Sequence, residues 1–199
     1  METSATMQGS EACFDVAGWH LGASRSPSPN CDAWPGDVQP WLVVIHAISL
    51  PPEQFQGDGV EALFTNRLDP KAHPYYEGIA HLRVSAHFFI RRDGSLIQFV
   101  PLSRRAWHAG VSSRNGQERC NDYAIGIELE GSDLQPFEMA QYHCLAQLLG
   151  ELCLVLPLRD ICGHSDVAPG RKTDPGPFFN WETLRAQLLV QHCDALASR

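Results

Sequence analysis

The chain has 199 residues, 44% of them apolar and 19% charged, which is enough ordinary globular sequence to bury one sizeable core. Its formal net charge of −8 excludes the broad basic footprint of a nucleic-acid-binding protein and leaves room only for a locally basic cleft. No apolar run approaches the roughly 18 residues of a membrane span, and METSATMQGSEACFDVAG at the start lacks the basic and apolar regions of a secretory signal, so a cytoplasmic protein without membrane contact is expected. Seven cysteines occur singly, with Cys144, Cys153 and Cys162 in apolar runs, and read as reduced thiols that pack like small hydrophobes.

In chain order, residues 1–18 are polar and small and read as a frayed segment, 19–192 as one domain, and 193–199 as a short tail. Residues 19–39 are rich in Ser, Pro and Gly and read as an extended arm over the surface. WLVVIHAI (Trp41 to Ile48), stopped by Pro51-Pro52, reads as a buried strand. GVEALFTNRL before Pro70 reads as a short helix, and Asp93-Gly94 between two apolar runs marks a hairpin. In YAIGIELEG (Tyr123 to Gly131), Ile125, Ile127 and Leu129 face one way, and Gly126, Glu128 and Glu130 the other. Met139, Tyr142, Leu145, Ala146, Leu149 and Leu152 fall at helical spacing, DICGHS reads as a short strand, and Asn180 caps a last helix. Strands and helices mix without a regular βαβ repeat. The fold class is therefore α/β (α+β): a single domain with a central mixed β-sheet flanked by helices.

The chemistry concentrates near strand ends. His46 closes an apolar strand, where a lone histidine is more often a core residue than a ligand. His164 follows a second strand, and Asp174 lies ten residues on, across GHSDVAPGRKTDPG. Two histidines and a carboxylate are a common protein set for a catalytic zinc with one open position, but spacing alone does not show that they converge. Glu128 lies on the polar face of its strand and Lys172 sits two residues before Asp174. Taken alone, they read equally as an exposed sheet-face carboxylate and a solvated lysine. Together they would supply what metal-assisted amide hydrolysis needs: a proton acceptor for the attacking water and a cation for the oxyanion.

Four blocks, VVIHAISLPP, HPYYEGIAHLRVSAHFFIRRDGSLIQFVP, RAWHAGVSSRNGQERCNDYAIGIELEG and GHSDVAPGRKTDPGPFFNW, strongly resemble the AmpD-type 1,6-anhydro-N-acetylmuramoyl-L-alanine amidases. These belong to a wider zinc amidase group that includes the peptidoglycan recognition proteins. The resemblance runs from about Trp19 to Leu189 in the family's order. It implies one Zn2+ on His46, His164 and Asp174, with Glu128 activating the attacking water and Lys172 stabilising the oxyanion. It also implies that Arg83 and Arg119 hold stem-peptide carboxylates, as suits guanidinium groups, and that Trp107 forms an apolar wall. The implied substrate is an anhydro-muropeptide in cytoplasmic cell-wall recycling, with no nucleic acid, membrane or obligate protein partner.

The alternative is a muropeptide-binding module of the same fold that does not cut, though such modules have typically lost a zinc ligand. His87 and His108 are expected to support structure or neighbouring residues rather than ligate. His20, His73, His81, His143 and His192 carry no motif. Two positions depart from the family pattern. Ala47 replaces a common asparagine, which would remove a hydrogen bond to substrate, and Gly170 replaces a common glutamate, which is expected to loosen the loop.

Overall fold

The structure, a computed structural model, describes residues 12–191 and Leu196. The expected frayed segment up to residue 11, the remainder of the expected tail, and His192 lie outside the described residues. In chain order the elements are β1 (Ser24–Arg25), β2 (Cys31–Ala33), β3 (Leu42–Ile48), α1 (Gly59–Phe64), α2 (Pro74–Glu77), β4 (Phe88–Ile90), β5 (Leu96–Gln98), β6 (Arg104–Ala106), β7 (Ser113–Arg114), β8 (Gln117–Glu118), β9 (Ala124–Glu130), α3 (Met139–Val155), β10 (Asp160–Gly163), α4 (His164–Val167) and α5 (Trp181–Val190). A single 3₁₀ turn spans Cys120–Asp122.

The two longest strands, β3 and β9, are the β-branched runs read from the sequence. They pair in parallel over seven positions, from Leu42 opposite Ala124 to Ile48 opposite Glu130. β10 joins the far side of β3 in parallel, with Gly163 opposite Ile45. β4 runs parallel to β9 and turns back into β5 through Asp93-Gly94, where Gly94 has φ +84°. The six-stranded mixed sheet has the order β1-β5-β4-β9-β3-β10. The arm over 19–39 does more than wrap the surface. Its β1 pairs in parallel with β5 and its β2 pairs antiparallel with β6, because an extended segment and an open sheet edge satisfy each other's backbone groups.

Strand alternation sorts the side chains between two layers. Val43, Ile45, Ile125, Ile127 and Leu129 pack against Leu145, Leu149 and Leu152 of α3 and Leu184 and Leu188 of α5. Both helices start at capped ends: the Glu138 N–H donates to Gln141 Oε1 at 3.0 Å, and Asn180 Oδ1 accepts from the Thr183 N–H at 2.9 Å. On the other face, Phe89 and Ile97 pack against Val60, Leu63 and Phe64 of α1 and Tyr76 of α2. Leu42, Val44, Ala124 and Cys162 form a third cluster on that face. Further along the same strands the residues turn polar, with His46, Glu128 and Glu130 all buried. Glu130 accepts from the backbone N–H groups of Gln56 at 2.5 Å and Arg92 at 3.1 Å, fastening two loops to the sheet.

Cys31, Cys120, Cys144 and Cys162 are free thiols. Burial pushes the Cys162 thiol up to about 12 and that of Cys144 up to about 11, so both stay protonated and inert. Cys153 is disulfide-bonded, which departs from the expectation that every cysteine is reduced.

His87, just before β4, is fully buried. Its Nδ1 accepts from the Gly126 N–H at 3.1 Å, its Nε2–H donates to the Arg104 carbonyl at 3.1 Å, and Trp34 stacks on its ring at 5.8 Å. Burial lowers its pKa from 6.5 to about 4, against the opposing pull of the Arg104 carbonyl. The folded imidazole therefore refuses a proton that the unfolded chain accepts. The stability it contributes is complete above about pH 6.5 and is lost as pH falls toward 4, on the order of 3 kcal/mol in all. Urea unfolding of metal-free protein at pH 7 and pH 4.5 is expected to show a smaller acid loss for His87→Gln than for wild type. Equal losses would refute the assignment.

Candidate metal centre

Strand register builds the centre. His46 on β3 lies directly opposite Glu128 on β9, so their side chains share one face, and His46 Nδ1 stands 4.0 Å from Glu128 Oε1. β10 pairs Gly163 with Ile45, which puts the next residue, His164, level with His46. Three neighbouring parallel strands thus deliver three functional side chains at their C-terminal ends, where open parallel sheets commonly place their ligand sites. His164 is the first residue of the single-turn α4 rather than part of a loop. The chain then returns, and the Ser165 N–H donates to the Asp174 carbonyl at 2.9 Å, holding Asp174 beside His164.

His46 Nδ1 and His164 Nδ1 are 2.9 Å apart, and Asp174 Oδ2 lies 3.1 Å from the first and 3.0 Å from the second. His46 is 1% exposed and His164 2% exposed. The outer nitrogen of His164, Nε2, faces the Ala109 carbonyl at 3.1 Å, and a carbonyl only accepts, so Nε2 carries the proton and Nδ1 a lone pair. A buried carboxylate oxygen and an imidazole lone pair converge on one point, an arrangement that is costly without a cation to share. The donor set fits zinc in type and number, with His46 Nδ1 as third ligand and one position left open. It is the group of His, Cys, Asp and Glu side chains, among the described residues, placed to hold a metal ion.

Glu128 is 8% exposed, and its Oε2 has no hydrogen-bond partner. Burial raises its carboxyl well above the ordinary range, the nearby Asp174 charge adds to this, and Lys172 opposes it. Burial likewise pushes His46 down to about 4, against its contact with Asp174. These groups floor a cleft of about 570 Å³ that Lys172 also lines. Trp107, Tyr75, Ile79, Leu82 and Val84 give the cleft an apolar wall, and Ala47 lies on its floor next to His46.

Not every residue singled out in the sequence faces this cleft. Arg83 turns its guanidinium back on the carbonyls of Ala80, His81 and Leu82, at 3.2–3.4 Å. Arg119 pairs with Asp122 at 2.9 Å and lines an adjoining groove with Gly110, Val111 and Arg171. Arg171 lines both spaces. Its Nη2 donates to the Ala109 and Val111 carbonyls at 2.7 and 2.6 Å, tying the loop of Lys172 to the segment that holds His164. Sequence reasoning passed over Arg171 and Tyr75, and the RKTDPG block was the only signal for the former. Gly170 has φ +75° with nothing within 4 Å, so glycine here fits a left-handed turn that strains other residues. His20 pairs with Glu151 at 2.6 Å, and His73 caps α2 by accepting from the Tyr75 N–H, so both serve structure.

Residues 36–177 match the N-acetylmuramoyl-L-alanine amidase family. The 1,6-anhydro-N-acetylmuramyl-L-alanine amidase AmpD of Citrobacter freundii is 55% identical over 171 residues, covering 85% of this chain and 91% of that protein. AmpD of Escherichia coli (strain K12) is 54% identical, covering 84% and 93%. The crystal structure of a selenomethionine AmpD derivative aligns with a TM-score of 0.86 at 54% identity, over 88% of this chain and 98% of that one. AmiD from E. coli, solved with the substrate anhydro-N-acetylmuramic acid-L-Ala-D-gamma-Glu-L-Lys, aligns with a TM-score of 0.54 at 25% identity, over 88% and 65%. The sheet that lines up His46, Glu128 and His164 is thus shared with amidases across nearly the whole domain, and the chain belongs to the N-acetylmuramoyl-L-alanine amidase family.

Proposed function

We propose that this protein hydrolyses the amide between 1,6-anhydro-N-acetylmuramic acid and the L-alanine of a peptidoglycan stem peptide, using one zinc ion on His46, His164 and Asp174. The observation that carries this reading is the meeting of three donor atoms within 3.1 Å of one another, from two buried histidines and the half-buried Asp174, beside an unpartnered carboxylate oxygen on a cleft floor. The reading extends to recycling of cell-wall fragments in the cytoplasm. No helix among the described residues is long and apolar enough to cross a membrane.

A zinc ion held by His46, His164 and Asp174 would supply Lewis acidity toward the scissile carbonyl and the attacking water. Glu128, whose carboxyl burial raises well above the ordinary range, takes the proton from that water and passes it to the departing alanine nitrogen. Lys172 on the cleft rim places its ammonium group to meet the charge that develops on the carbonyl oxygen. Trp107 walls the cleft. Arg119, exposed in a groove that adjoins the cleft through Arg171, receives a carboxylate of the stem peptide, and Arg83, also exposed, does so only once its guanidinium turns away from the Ala80, His81 and Leu82 carbonyls. A binding module that does not cut has no use for a buried carboxyl with a free oxygen beside the metal ligands, so the catalytic reading is preferred.

Two tests follow. Release of amine from an anhydro-muropeptide is expected to stop on chelation and return with added zinc, and Glu128→Gln is expected to lower kcat by ~10²–10⁴ while muropeptide binding persists. Tight binding without cleavage by zinc-loaded wild type would make the protein a recognition module. Lys172→Met is expected to lower kcat by ~10²–10³ with little change in KM, as befits a group acting on the transition state. An equal loss confined to KM would remove it from the chemistry.

A further inference from the structure

The outer nitrogen of His46 does not face a backbone carbonyl, as that of His164 does. His46 Nε2 lies 2.9 Å from His108 Nδ1, and the two rings meet nearly perpendicular at 87°. An imidazole nitrogen is donor or acceptor according to its proton, so this contact alone leaves the direction open. The far side of His108 decides it. His108 Nε2 faces the Ala124 carbonyl at 3.3 Å, and a carbonyl only accepts. His108 therefore carries its proton on Nε2 and a lone pair on Nδ1. That lone pair must accept from His46 Nε2–H, which leaves His46 Nδ1 unprotonated and pointed at His164 and Asp174.

His108 is itself fixed from three sides. The backbone N–H groups of His108 and Ala109 both donate to Asn121 Oδ1, at 3.2 and 2.8 Å. Asn121 thereby holds the dipeptide whose side chain orients one histidine and whose next carbonyl orients the other. The third side is Gly126 in β9: a Cβ added there would collide with the His108 ring, so the sheet has a gap that this imidazole fills. Gly126 also donates its N–H to His87, which keeps that stretch of β9 in place.

We propose that His108 is a positioning residue that sets the tautomer of His46, with Asn121 anchoring it, so that adjacent residues 108 and 109 present both histidines to the metal through Nδ1. This rests on the reading of His46 and His164 as metal ligands. Outer partners of metal-bound histidines fix ring orientation and basicity, and their loss typically costs about 10–100-fold in metal affinity. His108 lines the cleft as well, so activity alone would not separate positioning from substrate contact.

The test therefore reads zinc rather than turnover. Zinc dissociation constants from chelator competition are expected to rise about 10–100-fold in His108→Leu. His108→Asn is expected to recover most of that loss, because its side-chain oxygen reaches the position of Nδ1. Asn121→Ala is expected to weaken zinc in the same direction with the ring still present. Long-range ¹H–¹⁵N spectra of zinc-loaded wild type are expected to show the His46 proton on Nε2 and the metal on Nδ1. That spectrum needs no variant, so the test stays decisive should His108→Leu fail to fold. Wild-type zinc affinity in His108→Leu, even with a lowered melting temperature, would overturn the proposal and leave only a packing role. So would a spectrum with zinc on His46 Nε2. Zinc binding that follows these expectations in a protein that cuts no muropeptide would overturn the proposed function alone.

Discussion

Everything at this centre depends on the parallel register of β9, β3 and β10. Seven paired positions set Glu128 against His46, and four more set His164 level with it. A slip of one residue in β3 would turn His46 into the layer beneath α3 and α5, and would put Ala47 or Ile45 in its place opposite Glu128. The apolar residues on either side forbid that slip. Val43 and Ile45 are wholly buried against the α3 layer, while Leu42 and Val44 are wholly buried on the opposite face. The same alternation that forms the core therefore aims the candidate ligand His46 and the Glu128 carboxyl into the cleft.

This aim is bought against stability. Burial leaves the His46 imidazole and the Glu128 carboxyl resisting their charged forms, and Glu128 Oε2 without a hydrogen-bond partner. The surrounding structure compensates with directional hydrogen bonds to the outer nitrogens of the two histidines from the Ala109 carbonyl and His108, a pair that Asn121 and the Arg171 guanidinium hold in turn. A metal ion held at these atoms by the folded state alone would add its own stabilisation.

Much of the fold was legible because β3 is a short β-branched run, β9 alternates, and the longest helix carries apolar residues at helical spacing that are buried except for Met139. The alternation in β9 also placed Glu128 correctly on the face away from Ile125 and Ile127. The arm was harder to read: two- and three-residue strands such as β1 and β2 have no period to detect, and form only because an edge is waiting for them. Convergence of His46 with residues 118 and 128 positions away was legible through family resemblance, not spacing. Asn121 and the Ala109 carbonyl left no trace in the sequence, since a backbone group has no letter and an asparagine inside RCNDY resembles any turn residue. His108 was legible as a supporting histidine, but the direction of its hydrogen bond depends on the Ala124 carbonyl, which only coordinates reveal.

The arm also has a consequence for how these molecules meet one another. Exposed sheet edges are templates on which a second chain can add its own strand. Here one edge is taken by β1, laid along β5, with the Ser26 and Ser28 N–H groups continuing onto the Gln98 and Phe99 carbonyls. The opposite edge, β10, is four residues long, and its first residue, Asp160, is engaged by the Arg114 guanidinium at 2.8 and 3.1 Å. Among the described residues, neither edge of the main sheet thus offers a long, unpaired strand on which a second copy could build.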